Sequence, residues 1–390
     1  MTGCSVRRWA ATKAPTALGI ALGLVACMPV APVEQRVDVW TAVPMVDVST
    51  SLVDVRLTAP EPAEYSFFGH SVAIDGGLAV VGAWGVAANT GAAYVFAQEN
   101  GTWELQQVLR APAGLPKDRF GHAVAVHADT VVIGAVHEST RRFRAGAAHV
   151  FERPGESWAH VQTLSSPEPV AYQQFGSAVA VAMDTIVVGA SGFSRPAAYV
   201  YRRSAGAWQL QQALEPADDG QNTRFGRALA LHDQTLVIAA SGSTHVFELQ
   251  DAESRATDVL RGPSDVGSVA TDGESIVIGE PSNGAYVYTR DGDRWEADVA
   301  FEAGDIAHFG ISVAVYGDRI LVGASGRAGA VFEYRQVDDT WALQQQFTAV
   351  EPTENLHFGL AAAITDQHVI IGATGARDGG IASGAAYLFP

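Results

Sequence analysis

Cysteine, lysine and helix-period hydrophobic stretches are what this 390-residue chain has least of. Its two cysteines stand at positions 4 and 27, so everything downstream of Cys27 folds without a disulfide. Beyond Lys13 the one lysine is Lys117, and the formal net charge is −17. An acidic surface of that size argues against nucleic acid and against docking on anionic lipid. HExxH, CxxC, a phosphate-cradling glycine loop and DxDxDG are all missing. No catalytic residue, cofactor or metal ligand is therefore expected, and the chain reads as a non-enzyme.

What is present is a repeat. Phe-Gly stands at 68–69, 120–121, 175–176, 225–226, 309–310 and 358–359, with a decayed copy at Val266-Gly267, in steps of 41 to 55 residues. That period suits propeller blades. Gly82, Gly134, Gly189, Ala239, Gly323 and Gly372 each follow the Phe by fourteen residues, while Gly279 follows Val266 by thirteen. Each copy carries four short apolar runs. The third run, such as Ala93-Tyr-Val-Phe96 or Ala198-Tyr-Val-Tyr201, is rich in aromatic and β-branched residues and favours strand. The fourth places a Trp six residues before an apolar side chain: Trp103/Leu109, Trp158/Leu164, Trp208/Leu214, Trp295/Phe301 and Trp341/Phe347. In four copies that side chain precedes the next Phe-Gly by eleven residues, and counting back eleven from Phe68 lands on Leu57. Residues 351–390 supply only three runs of a last copy. The expected fold is all-β: a seven-bladed β-propeller of four-stranded antiparallel blades, with residues 51–59 giving the last blade its outermost strand. A monomeric ring follows, with residues 51–390 as one domain.

Residues 1–26 hold Arg7, Arg8 and Lys13, no acid, and the apolar stretch Leu18–Ala26, which is the pattern of a secretory signal. Leu24-Val-Ala-Cys27 resembles the bacterial lipobox, which implies lipid attachment at Cys27 and a membrane contact through that anchor alone. Met28 in place of Asp after the Cys resembles outer-membrane sorting in a two-membrane host. Removal of the signal takes the formal charge to −20. Residues 27–50, with Pro29, Pro32 and Pro44 and little pattern, are expected to be a flexible tether.

With Phe-Gly opening each copy, Val-Val-Gly-Ala at 80–83 and Gly-Ala-Ala-Tyr-Val-Phe at 91–96, the chain resembles the bacterial branch of the FG-GAP repeat family. The same repeat builds the propeller of integrin α subunits, so the resemblance implies an integrin-like ring and a role in adhesion or ligand recognition. One departure is plain. Where integrin-type copies insert an acidic calcium loop, this chain has short turns such as Asp75-Gly-Gly77, Asp272-Gly-Glu274 and Gly317-Asp318, whose acids suit turn chemistry.

Residues that break the repeat are the better guide to a site. Loops joining second to third strands, and fourth strands to the next blade, should share one face. They carry Trp84, the cluster Arg141-Arg142-Phe143-Arg144, then Phe193, Arg195, Arg224 and Arg377, all candidate ligand contacts. His70 and His122 occupy a position that takes Ile311 and Leu360 in other copies, which reads as packing. The leading expectation is a lipid-anchored extracytoplasmic protein that binds a protein or glycan through these loops. Alternatives are a cell-envelope assembly scaffold, or a carbohydrate-active enzyme using acids such as Asp118, Asp218 and Glu354 across the pore.

Overall fold

The computed structural model describes residues 55–390 apart from 217–223, 251–253, 261–265, 282, 303–305 and 339, together with the backbone of two short strands at Thr41–Val43 and Ser49–Ser51. Cys27, its lipobox and Asp218 lie outside the described residues. Seven antiparallel four-stranded units follow one another around a ring. Blade 1 shows the plan: Ser71–Asp75, Leu78–Ala83, Ala92–Glu99 and Thr102–Leu109, paired in sequence order. Second strands such as Thr130–Ala135 and Thr185–Ala190 are buried throughout, as their unbroken β-branched and alanine content requires. Fourth strands such as Thr102–Leu109 and Ala207–Leu214 bury only their Trp and final Leu, because these outer strands meet solvent.

The core lies between blades. Each hydrophobic cluster joins two neighbours, as where Val80, Val95 and Leu109 of blade 1 meet Phe120, Val131 and Phe151 of blade 2. Phe68, Phe120, Phe175, Phe225, Phe309 and Phe358 are all fully buried in such seams.

The fourteen-residue spacing from Phe to Gly has a physical cause at the same seams. The Gly of every intact Phe-Gly has φ between +83° and +92°, a region open to glycine. A Cβ on Gly121 would overlap the Ala92 carbonyl of the preceding blade, and a Cβ on Gly82 would overlap the Gly121 carbonyl of the following one. Gly134 faces Gly176 in the same way, Gly189 faces Gly226, Gly279 faces Gly310, and Gly323 faces Gly359. Gly372 faces Gly69 across the junction of blades 7 and 1, so the ring closes through the contact that builds it. Serine side chains reinforce several junctions, with Ser71 donating to the Gly121 carbonyl at 3.0 Å and Ser312 to that of Gly359 at 2.8 Å. The repeat breaks in a matched pair. Ala239 replaces the second-strand glycine where the next blade opens on Val266-Gly267, and Gly267 is not in the positive-φ region.

The seventh blade consists of Phe358–Ile364, Val369–Ala373, Ala385–Phe389 and the N-terminal strand Val55–Leu57. Leu57 pairs with Ala386 as Leu109 pairs with Ala93 and Leu164 with Ala148, so the ruler read from the sequence gives the right register. The stretch expected as a tether is in part strand. Thr41–Val43 runs parallel to the fourth strand of blade 5, against Val299–Phe301, and Ser49–Ser51 runs parallel to that of blade 6, against Gln345–Phe347. Ser51, placed in the closing strand by the sequence, belongs to blade 6 instead.

Two outcomes follow for stability. Gly134→Ala and Gly323→Ala should each cost about 2–4 kcal/mol in denaturant unfolding, since backbone must move to admit the Cβ. Gly101→Ala, at a positive-φ turn with open space around it, should cost about 1 kcal/mol. Equal losses at Gly134 and Gly101 would contradict a seam built on glycine. Deleting residues 28–60 should lower the melting temperature by several degrees, through loss of Leu57 and Ala59 burial and a newly open blade edge; an unchanged thermal scan would contradict closure.

Candidate ligand-binding face

The residue before each intact Phe-Gly turns its side chain onto one face of the disc. Phe67, Arg119, Gln174, Arg224, His308 and His357 all hold φ between +48° and +60°, an uncommon conformation for residues with a Cβ. The loop between second and third strands of the preceding blade abuts this turn, through parallel bridges Gly91 to Phe120, Gly146 to Phe175, Gly329 to Phe358 and Gly384 to Phe68. The two loop families thus share a face, as expected for blades of four strands paired in sequence order.

On blades 1 and 2 this face carries an aromatic and cationic cluster in two parts. Trp84 stacks on Phe67 with centroids 4.4 Å apart and planes within 14°, and the Arg119 guanidinium covers the same indole at 4.5 Å. Beside Trp84 the backbone makes a left-handed turn through Ala87, Ala88 and Asn89, all at positive φ, which costs free energy for residues with a Cβ. The Asn89 carbonyl accepts from the Arg119 N–H at 2.9 Å, fixing the arginine beside the loop. His70 meets the Trp84 edge at 5.8 Å and lies 5.1 Å from His122. The Nδ1 of His122 and the indole N–H of Trp84 are buried without a hydrogen-bond partner among the described residues.

Blade 2 extends the cluster. Within 137–144, Ser139 Oγ accepts from the Arg144 N–H at 3.0 Å, and Glu138 is held by the buried His149 at 2.8 Å and by Thr140. These bonds order a loop whose Arg141, Arg142 and Phe143 point to solvent. Arg144 lies 5.4 Å from the Phe143 ring, which packs edge-on to Tyr172 at 5.3 Å. Arg119 is lowered from its ordinary pKa by burial and secondarily by the Arg144 charge. Arg153, Arg195, Arg203 and Arg319 each find a carboxylate, whereas Arg119, Arg141, Arg142 and Arg144 have no ion-pair partner among the described residues.

The other expected contacts divide. Phe193 and Arg224 form their own pair at 5.7 Å on blades 3 and 4. Arg195 is bound by Glu168 at 2.7 Å and Glu215 at 3.3 Å, so its charge is already matched. Arg377 belongs to blade 7, where Arg56 donates to its carbonyl. Of the acids, Asp118 is buried and accepts from the Leu115 N–H at 2.7 Å, while Glu354 is exposed on its linker. The central channel is walled by the first strands of all seven blades, through side chains such as Val72, Val124, Leu229, Val313 and Thr271. Two short-turn acids show their use: Asp75 accepts from the Ala128 N–H at 2.6 Å and Asp272 from that of Gly317 at 3.0 Å, each capping the next blade's turn.

Phe67 and Arg119 are the members that sequence reasoning missed, while His70 and His122, read there as packing, are buried beside the cluster. Averaging over copies hides the first two, because their position before Phe-Gly takes Gln174, Arg224, His308 and His357 elsewhere.

The fold defines the chain as a seven-bladed β-propeller. A family profile described as FG-GAP repeat matches residues 53–96, 103–151, 158–201 and 341–389, so the ring carries FG-GAP repeats. Each match begins at the fourth strand of one blade and ends on the third strand of the next, so the repeat unit spans a seam. No curated protein matches the chain.

Burial, reinforced by neighbouring histidine and arginine charge, lowers His70 to about 3, and burial with Arg119 lowers His122 and His137 to about 4. The folded state therefore favours the neutral imidazoles, whereas the unfolded chain protonates near 6.5. Their contribution is complete above that value and is lost as pH falls towards 4. Melting temperature should drop across this window, and the His70→Gln/His122→Gln double variant should show a shallower drop; parallel profiles would contradict the assignment.

Proposed function

We propose that this protein is an extracytoplasmic binding protein that recognises a protein or glycan through the blade 1–2 face, with its chain held to a membrane by lipid on Cys27. The supporting observation is the set Phe67, Trp84, Arg119, Arg144, Phe143 and Tyr172, whose guanidinium groups have no ion-pair partner among the described residues, on a chain of net charge −17. Aromatic and arginine side chains dominate recognition surfaces because they offer large contact area and fixed hydrogen-bond geometry. A rigid scaffold lowers the ordering cost of such a surface. No cofactor is needed for this role. The lipobox resemblance supports the anchor, and the placement in an outer membrane depends on a two-membrane host.

The test is a pull-down from detergent-solubilised envelope with the wild-type protein, Trp84→Ala, and the triple variant Arg141→Ala/Arg142→Ala/Arg144→Ala. Wild-type capture of one protein or polysaccharide, reduced at least tenfold by either variant, is the expected result. Undiminished capture by both variants would remove this face from the reading. Cys27→Ser should move the protein from the membrane fraction to the soluble fraction.

A further inference from the structure

A second site lies at the seam where the two ends of the propeller meet. Arg56 of the closing strand, Val350, Glu351, Thr353 and Leu356 of the linker into blade 7, and Ala376, Arg377 and Tyr387 of that blade surround a cavity of about 280 Å³. Leu356, Ala376 and Tyr387 are buried and make its floor, while Arg56, Glu351 and Arg377 stand exposed around it.

Both arginines are held in place. Arg56 Nη2 donates to the Arg377 carbonyl at 2.6 Å, and Arg377 Nη1 donates to the Gly380 carbonyl at 2.8 Å. Arg377 itself starts a hairpin, Arg377–Asp378 against Ile381–Ala382, turned by Gly379 and Gly380 at φ +55° and +90°. Each guanidinium has five N–H groups, so several on each remain for a ligand. Neither arginine has an ion-pair partner among the described residues. The Tyr387 phenol is raised by burial, with the Arg56 charge acting in the opposite direction, so it stays neutral and adds no competing anion.

From this geometry we infer that the seam cavity binds a small amphipathic monocarboxylate, its carboxylate on Arg56 and Arg377 and its apolar body on Leu356, Ala376 and Val350. Planar forks suit a carboxylate, since two parallel N–H···O bonds add direction to charge. Glu351 sets the charge limit. With two cations and one anion around the cavity, a single negative group is matched and a second is repelled. The volume suits a molecule of roughly ten heavy atoms, at the small end of ligand pockets.

The experiment is saturation-transfer NMR on the full-length protein with hexanoate, hexan-1-ol and adipate as probes, and with Arg56→Gln and Arg377→Gln as variants. Hexanoate should receive saturation, hexan-1-ol little, and adipate at least fivefold less than hexanoate. Each variant should weaken hexanoate binding at least tenfold. Arg377→Gln lies on the hairpin and not on the closing strand, so it should keep the wild-type melting temperature and separate lost binding from lost closure. Hexanoate binding that survives Arg377→Gln, an equal response from hexan-1-ol, or no response to hexanoate would each overturn the inference. The blade 1–2 face plays no part in this assay, so its outcome is independent of the reading above.

Discussion

The contact on which the structure depends is a carbonyl oxygen seated where a side chain would be. At six of the seven junctions a second-strand glycine leaves space for the carbonyl of the next blade's Phe-Gly glycine. Neighbouring sheets therefore approach at backbone distance near the channel, with the buried Phe of the motif filling the space further out. A twisted sheet widens the gap to its neighbour with distance from the axis, and the outer strands meet this with larger side chains. Trp103, Trp158, Trp208, Trp295 and Trp341 are buried there. Gln107 and Gln162 add a bridge at that radius, each exchanging hydrogen bonds with the backbone of the next blade's Trp. Small inside and large outside is what turns flat blades into a ring.

The same turn that seats the glycine also sets out the surface. Because the residue before Phe-Gly is held at positive φ, its side chain is displayed whatever its chemistry, and the ring shows six such positions around one face. Evolution of a binding surface on this frame needs no change in the frame. Blades 1 and 2 use the positions for Phe67 and Arg119 and set histidines beneath them. Neutral imidazoles there let Arg119 remain the charge in a half-buried cluster without a second cation below it.

Most of the fold was legible because its signals are local and repeated. Phe-Gly spacing, the trailing glycine and the Trp-to-Leu interval each report a backbone geometry that recurs, and the interval even located Leu57. The strands at Thr41–Val43 and Ser49–Ser51 left no such trace. They pair parallel to outer edges through backbone groups, three residues at a time, and a three-residue strand is too short to show a hydrophobic period. The site was legible in part. Loop composition pointed to Trp84 and Arg144, yet not to Arg119, whose contact with the Trp84 ring spans a seam. Arg195 shows the converse: an attractive loop cation that proves to be matched by two acids distant in sequence.

The closing strand has a consequence for the order of assembly. Arg56 and Arg377 are 321 residues apart, and the pairing of Val55–Leu57 with Ala386–Leu388 is among the most non-local contacts in the molecule. Contacts of such separation carry the largest loop-closure entropy and form late. Blades 1 to 6 can grow by adding each sheet to the last, as linear repeat proteins do. Blade 7 has to wait for both ends. Until then its third strand, Ala385–Phe389, is an open apolar edge, and the ring is an arc with two unsatisfied faces. Completion of the circle is thus the step at which this chain leaves its aggregation-exposed state.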